Sequence, residues 1–255
     1  MKNFNGVIRI FYLLTIAIII AGCSSNSDFD DFSFEIMDNN DLVVSAKVAN
    51  ASQYNRTIEV KAYIYDTNAY MSVELSKVNW KHNGFSIVLP NTLDTKYLHP
   101  LIYGEWWNIV AAKTIFSAPS NYIIIQPSIT ISNENVKIVD AQFFGEDKDG
   151  FFSGIFCLDD TNGNWLTNDN STKAVFTYVD SDVTISGNVF SKDITSDGFV
   201  YERTETYSIN WKKGWNVWYR SKYDETKGNT SIFKEKWSSA PSIGLKWNGN
   251  NSVLL

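Results

Sequence analysis

Histidine and cysteine are scarce in this chain of 255 residues, with two of each. An acyl-transfer centre of the Ser-His-Asp or Cys-His kind needs a base held beside its nucleophile. The only imidazoles are His82, in an Asn-Gly turn, and His99, beside Pro100, and both read as surface positions. No Gly-x-Ser-x-Gly elbow occurs. No catalytic residue is assigned, no cofactor is expected, and the ligands for a transition-metal centre are lacking. Positive charge is also in deficit: 22 Lys and Arg stand against 28 Asp and Glu, for a net charge of −6. Neutralising phosphates takes an excess of clustered Lys and Arg, so no nucleic-acid partner is expected. Long apolar runs are missing too. The stretch from Ile10 to Ala21 is about a dozen residues, where a membrane-spanning helix needs roughly 20.

What the chain has in quantity is aromatic side chains, 15% of residues with nine tryptophans among them. These alternate with polar residues and are punctuated by turn pairs such as Asp149-Gly150, Asp197-Gly198, Lys213-Gly214 and Lys227-Gly228. That is the composition of strands joined by tight turns. Leu42, Val44, Ala46 and Val48 share one face of a first strand, and Ile58, Val60, Ala62 and Ile64 one face of a second. His82-Asn83-Gly84 supplies the positive-φ residues of a hairpin between 73–80 and 85–89, and Pro90 ends the latter. Residues 92–98 hold the one early candidate for a short helix. Strands resume over 106–116 and 122–125, with Pro119 and Pro127 breaking the region. Further strands are expected at 136–144, 151–158, 174–179, 183–189, 199–210, 215–220 and 230–237.

The N-terminus has a different grammar. Lys2 and Arg9 precede the short apolar run, which ends in Ile20-Ala21-Gly22-Cys23. These four residues resemble the lipobox of bacterial lipoproteins, in which cleavage before the cysteine leaves it lipidated as the new N-terminus. The resemblance implies a signal peptide over 1–22 and a lipid anchor on Cys23. Cys157 is then left alone, with no intramolecular disulfide. Two or three acyl chains hold a protein firmly where one does not, since each buried CH₂ adds about 0.8 kcal/mol. Residues 23–31, with Ser24-Ser25-Asn26-Ser27-Asp28-Phe29-Asp30-Asp31, form an acidic tether too polar to fold alone. Such serines and acids behind the cysteine resemble the surface-export signals of lipoproteins from anaerobic Gram-negative gut bacteria. They imply an outer-membrane, surface-exposed position, the alternative being an inner leaflet facing the periplasm.

Two further stretches, 83–92 with Lys96-Tyr97-Leu98 and 207–216 with 243–247, resemble uncharacterised lipoproteins of the same group, which implies location and β architecture but no reaction. The expected fold is all-β, with two antiparallel β-sandwich domains of immunoglobulin- or transthyretin-like architecture, a barrel being the alternative. The polar group Ser132-Asn133-Glu134-Asn135 marks the junction, giving an N-terminal domain over 32–132 and a C-terminal domain over 133–255.

Acids cluster in Glu146-Asp147-Lys148-Asp149-Gly150 and in Asp159-Asp160-Thr161-Asn162-Gly163-Asn164, which is how a calcium loop begins. Neither completes the twelve-residue pattern with its terminal Glu, so both read as turns and no metal site is assigned. For a glycosidase needing two carboxylates across the scissile bond, Glu105 beside Trp106 and Trp107 is the residue to test. The leading expectation is a non-catalytic surface binding or adhesive protein. In the strand 215–220, Trp215, Val217 and Tyr219 share one face, and Asn216, Trp218 and Arg220 the other. With the first face in the core, Trp218 stands between an amide and a guanidinium as a sugar-stacking platform, the alternative being that another strand or loop covers it; on the platform reading Trp218, Asn216 and Arg220 are the candidate ligand-binding residues for a glycan or protein. A glycan-acting hydrolase and a fimbria-like structural subunit are the alternatives.

Overall fold

A computed structural model describes residues 32–36, 41–66, 71–101, 122–161 and 170–250. The chain from residue 31 onward forms one compact unit, and it is all-β. Its strands are β1 (Phe32–Ile36), β2 (Leu42–Lys47), β3 (Glu59–Asp66), β4 (Met71–Asn79), β5 (Gly84–Leu89), β6 (His99–Pro100), β7 (Tyr122–Ile131) and β8 (Lys137–Glu146). They continue with β9 (Phe152–Asp159), β10 (Ser171–Val179), β11 (Val183–Ile194), β12 (Val200–Trp211), β13 (Gly214–Lys227), β14 (Thr230–Ser238) and β15 (Lys246–Asn250). The expected short helix is a single 3-10 turn at Thr95–Tyr97, started by the Asp94 side chain, which accepts from Lys96 N.

Two sheets result. A small one has the order β1-β2-β5, and a large one runs β4-β3-β8-β9-β10-β13-β14-β12-β11-β7, with β15 added on β9 and β6 on β8. β8 changes partner along its length: residues 138–141 pair with β10 and 143–146 with β9. Among the strands described, the one parallel pair is β12 with β14. Its cause lies in the connections. β12 and β13 are linked by only two residues, yet β14 is inserted between them, pairing antiparallel with β13 over 219–227 and parallel with β12 over 200–208. At the apex of that wedge Ser239 N donates to Ser208 O at 2.9 Å, and Ser239 Oγ accepts from Asn210 N at 2.9 Å.

The large sheet carries apolar side chains on both faces, and so builds two cores. In the first, Leu42, Val44, Phe85, Ile87 and Leu89 of the small sheet pack on residues such as Phe143, Phe156, Phe176, Trp215, Tyr219 and Trp247. In the second, Val183, Ile185, Tyr207, Ile209, Trp211, Trp218 and Trp237 gather with Leu101, Val136 and Ile138. Successive side chains of a strand point to opposite faces, so strands in the shared stretch send one set to each core: Val139 to the first and Ile138 to the second, Trp215 to the first and Trp218 to the second.

The strands do not divide at residues 132–133. β3 pairs with β8 through six residue pairs, from Glu59↔Glu146 to Ile64↔Ala141, and β7 pairs with β11. The polar residues expected to link two domains instead fasten a turn inside the sheet: Asn133 Oδ1 accepts from Asn135 N at 3.1 Å, and Ser132 Oγ from Thr184 N at 2.8 Å. Pro127 does not break β7. The β7–β11 register shifts between Asn188 and Phe190, opposite this proline, and an edge-strand irregularity is where a residue without an N–H is tolerated.

A tight turn forms here, but one residue earlier than expected: Lys81 N donates to Gly84 O at 3.0 Å and Gly84 N to Lys81 O at 2.9 Å, and the positive φ values fall on His82 (51°) and Asn83 (63°), not on Gly84. Past the turn its arms separate, since β4 joins β3 and β5 joins β2. The signal segment 1–22, Cys23, the tether and the Glu105-Trp106-Trp107 group lie outside the described residues.

Candidate functional site

The three residues expected to form one platform are split among three environments. Trp218 is fully buried (0% exposed). Its indole Nε1 donates to Thr177 Oγ1 at 2.7 Å, and its ring stacks on Trp237 and leans on Trp211. The platform at Trp218 is therefore corrected to core, because β13 is covered on both faces. Arg220 points to the same side but is taken up by Glu235, to which its Nε donates, and its guanidinium lies 4.9 Å over the Trp237 ring. Asn216 closes the β12–β13 turn: its Nδ2 donates to Lys212 O at 2.7 Å and Gly214 O at 2.9 Å, and its Oδ1 accepts from Lys212 N at 2.9 Å.

The same face of the large sheet continues past the tryptophans into a charged belt. Glu205 on β12 stands directly beside Glu235 on β14, and both are buried, at 3% and 2% exposed. A buried carboxylate is costly unless its oxygens are paired. Here every oxygen is. Arg203 Nε and Tyr207 Oη donate to the two oxygens of Glu205, while Arg220 Nε and Arg203 Nη2 donate to those of Glu235, the last at 3.2 Å. Burial, and then the Glu205 charge, hold the Tyr207 phenol far above its usual pKa, so it stays a donor. The two carboxylates thus sit side by side with their lone pairs engaged, as a structural ion network.

Beyond that network the face opens. Alternation along β12 puts Tyr201 in line with Arg203, and the register places Phe233 opposite Arg203 and Ser231 opposite Tyr201. Tyr201 is 50% exposed and its ring meets Phe199 at 4.9 Å. The Arg203 guanidinium lies 4.8 Å over Phe233, with 40% of its side chain exposed. Tyr201, Arg203, Ser231 and Phe233, with Glu202, line a cavity of about 240 Å³. That is below the roughly 300–1,000 Å³ of drug-sized pockets, room for one ring more than for a long chain. Aromatic faces beside fixed hydrogen-bonding groups are what a sugar ring needs: its C–H side packs on the rings and its hydroxyls meet the polar groups. Arg203 is held in place by two buried carboxylates and by stacking, so little rotamer entropy remains to be lost on binding.

The other groups weighed for chemistry take structural roles. Asp147 Oδ1 accepts from Asp149 N and Phe151 N, both at 2.9 Å, which makes the turn. Asp160 Oδ1 accepts from Thr172 N at 2.8 Å, and Asp159 Oδ1 from Thr161 N at 2.8 Å and Asn248 Nδ2 at 3.1 Å. Among the described residues no group of three His, Cys, Asp or Glu is placed to hold a metal. The Cys157 thiol is pushed up to about 12, chiefly by burial, which keeps it protonated at neutral pH. His82 is exposed as expected, whereas His99 is half-buried in β6 against β8. No family model matches this chain, nor does any curated protein or solved structure.

Proposed function

We propose that this protein is a non-catalytic binding protein, held at the outer membrane by lipid on Cys23, and that it takes saccharides on the strip formed by Tyr201, Phe233 and Arg203. The observation that carries this reading is the half-exposed Tyr201 ring beside a guanidinium that buried acids hold in place. An aromatic left open at the end of an otherwise covered face is the feature that folding does not require.

Two experiments test it. On a panel of immobilised polysaccharides, the full chain in detergent binds at least one, and Tyr201→Ala loses that binding while keeping its melting temperature. Absence of binding by the wild type, or unchanged binding by Tyr201→Ala, contradicts the site. For the anchor, Cys23→Ser moves the protein from the membrane fraction to the soluble one, because the lipid supplies the membrane affinity. A Cys23→Ser protein that still sediments with salt-washed membranes contradicts it.

A further inference from the structure

A second cavity, of about 470 Å³, lies where the end of β5 and the start of β2 meet the β12–β13 turn, and its walls include Leu42, Asn91, Thr92, both Lys212 and Lys213, and Trp215. This volume falls within the roughly 300–1,000 Å³ of small-molecule sites.

Its frame is fixed by hydrogen bonds among the residues around it. Trp215 Nε1 donates to Pro90 O at 2.7 Å, and Asn91 N donates to Asp41 Oδ1 at 2.8 Å. The turn carries two adjacent lysines with different fates. Lys212 Nζ pairs with Asp182 Oδ2 at 2.9 Å, while Asp182 Oδ1 accepts the backbone N–H of Lys213, also at 2.9 Å. Those two bonds hold the Asp182 carboxyl below its ordinary pKa, and the Asn216 side chain locks the turn from the other side. Asp182 is thus spent on Lys212 and on the backbone. Lys213, an exposed residue of the same lining, has no carboxylate within ion-pair distance of its ammonium among the described residues. Thr92, also exposed and in the same lining, makes no side-chain hydrogen bond among the described residues. Leu42 and the Trp215 ring give the same space an apolar side.

We infer that this cavity binds a small carboxylate-bearing molecule, the carboxylate on Lys213 and Thr92 and the carbon body against Leu42 and Trp215. An uncommitted cation on a locked turn, with a hydroxyl donor and an apolar wall, is complementary to an organic acid such as a uronic acid sugar, whereas a neutral sugar leaves the ammonium unused. The site is separate from the Tyr201 strip and does not depend on it.

The test uses the full chain in detergent, with sodium glucuronate, glucose and inorganic phosphate as probes, read by melting temperature and by isothermal titration. Glucuronate raises the melting temperature by mass action, and glucose at the same concentration does not. Lys213→Gln weakens glucuronate binding about tenfold or more, as expected for losing a hydrogen bond to a charged group. Thr92→Val weakens it less, and Tyr201→Ala leaves it unchanged, which separates this site from the saccharide strip. Equal binding by wild type and Lys213→Gln, or equal stabilisation by glucose, overturns the inference. Stabilisation by phosphate without any by glucuronate overturns the assignment to a carboxylate.

Discussion

Trp218 and Trp237 lie face to face, their ring centroids 5.1 Å apart and their planes 8° from parallel. The two belong to neighbouring strands, and the pair is closed on one side by Trp211, at 6.1 Å from Trp218. Trp218 also keeps its indole N–H bonded to Thr177. Such a ring is a packing element, and truncating it removes the stack, the hydrogen bond and the filled volume together.

Trp218→Ala is therefore expected to cost about 3–5 kcal/mol of folding stability. Trp215→Ala is expected to fall in the same range, because Trp215 is buried in the other core. Chemical denaturation of the two variants checks both. A loss below about 1 kcal/mol for Trp218→Ala, in the range of surface changes, would return that side chain to solvent and restore a platform there.

Tyr54 is set between two glycine backbones. A Cβ added at Gly249 would come 2.1 Å from its ring, and one at Gly154 2.4 Å. The ring cannot retreat, since it also meets Phe156 edge-on at 5.4 Å. Gly249→Ala and Gly154→Ala are each expected to destabilise by about 1–3 kcal/mol through overpacking. Tyr54→Ala combined with Gly249→Ala relieves the clash, so the pair should cost less than the sum of the single changes. Strict additivity would show that the ring does not set the limit.

Burial holds the His99 imidazole below its ordinary value of 6.5, against a smaller raising effect from the Pro100 carbonyl. As pH falls through 6.5 the unfolded chain therefore takes up a proton that the folded one resists. His99 leaves stability intact above that value and subtracts from it as pH falls below. Urea midpoints at pH 7 and pH 5 should differ more for the wild type than for His99→Gln. An equal pH dependence in the two would show that His99 titrates alike in both states.

The alternation of β2 and β3 was legible in the sequence because one face of each is core: Leu42, Val44 and Ala46 are buried while Val43 and Ser45 are only partly covered, and Val60, Ala62 and Ile64 are buried, although Ile58, expected beside them, precedes β3 and is half exposed. The same rule misplaced Trp218, because it presumes a single buried face and β13 is packed on both. Polarity along the strand gave no warning, since Asn216 is used by its own turn and Arg220 by Glu235. The Tyr201 strip had a visible signal in the series Tyr201, Arg203, Glu205, Tyr207, Ile209 and Trp211, one strand face passing from polar to apolar. What could not be read was its neighbour. Two residues between β12 and β13 suggest a hairpin, yet β14 takes the place beside β12, and Phe233 reaches Arg203 only through that insertion. The division at 132–133 failed for a similar reason, as a polar turn looks alike whether it joins two domains or two strands of one sheet.

The saccharide reading is tested most directly by amide hydrogen exchange of the full chain with and without the polysaccharide that the panel selects. The account predicts slowed exchange at Val200 to Arg203 on β12 and at Ser231 to Phe233 on β14, with the rest of the sheet unchanged. Protection confined to other strands, or none at saturating polysaccharide, would contradict it.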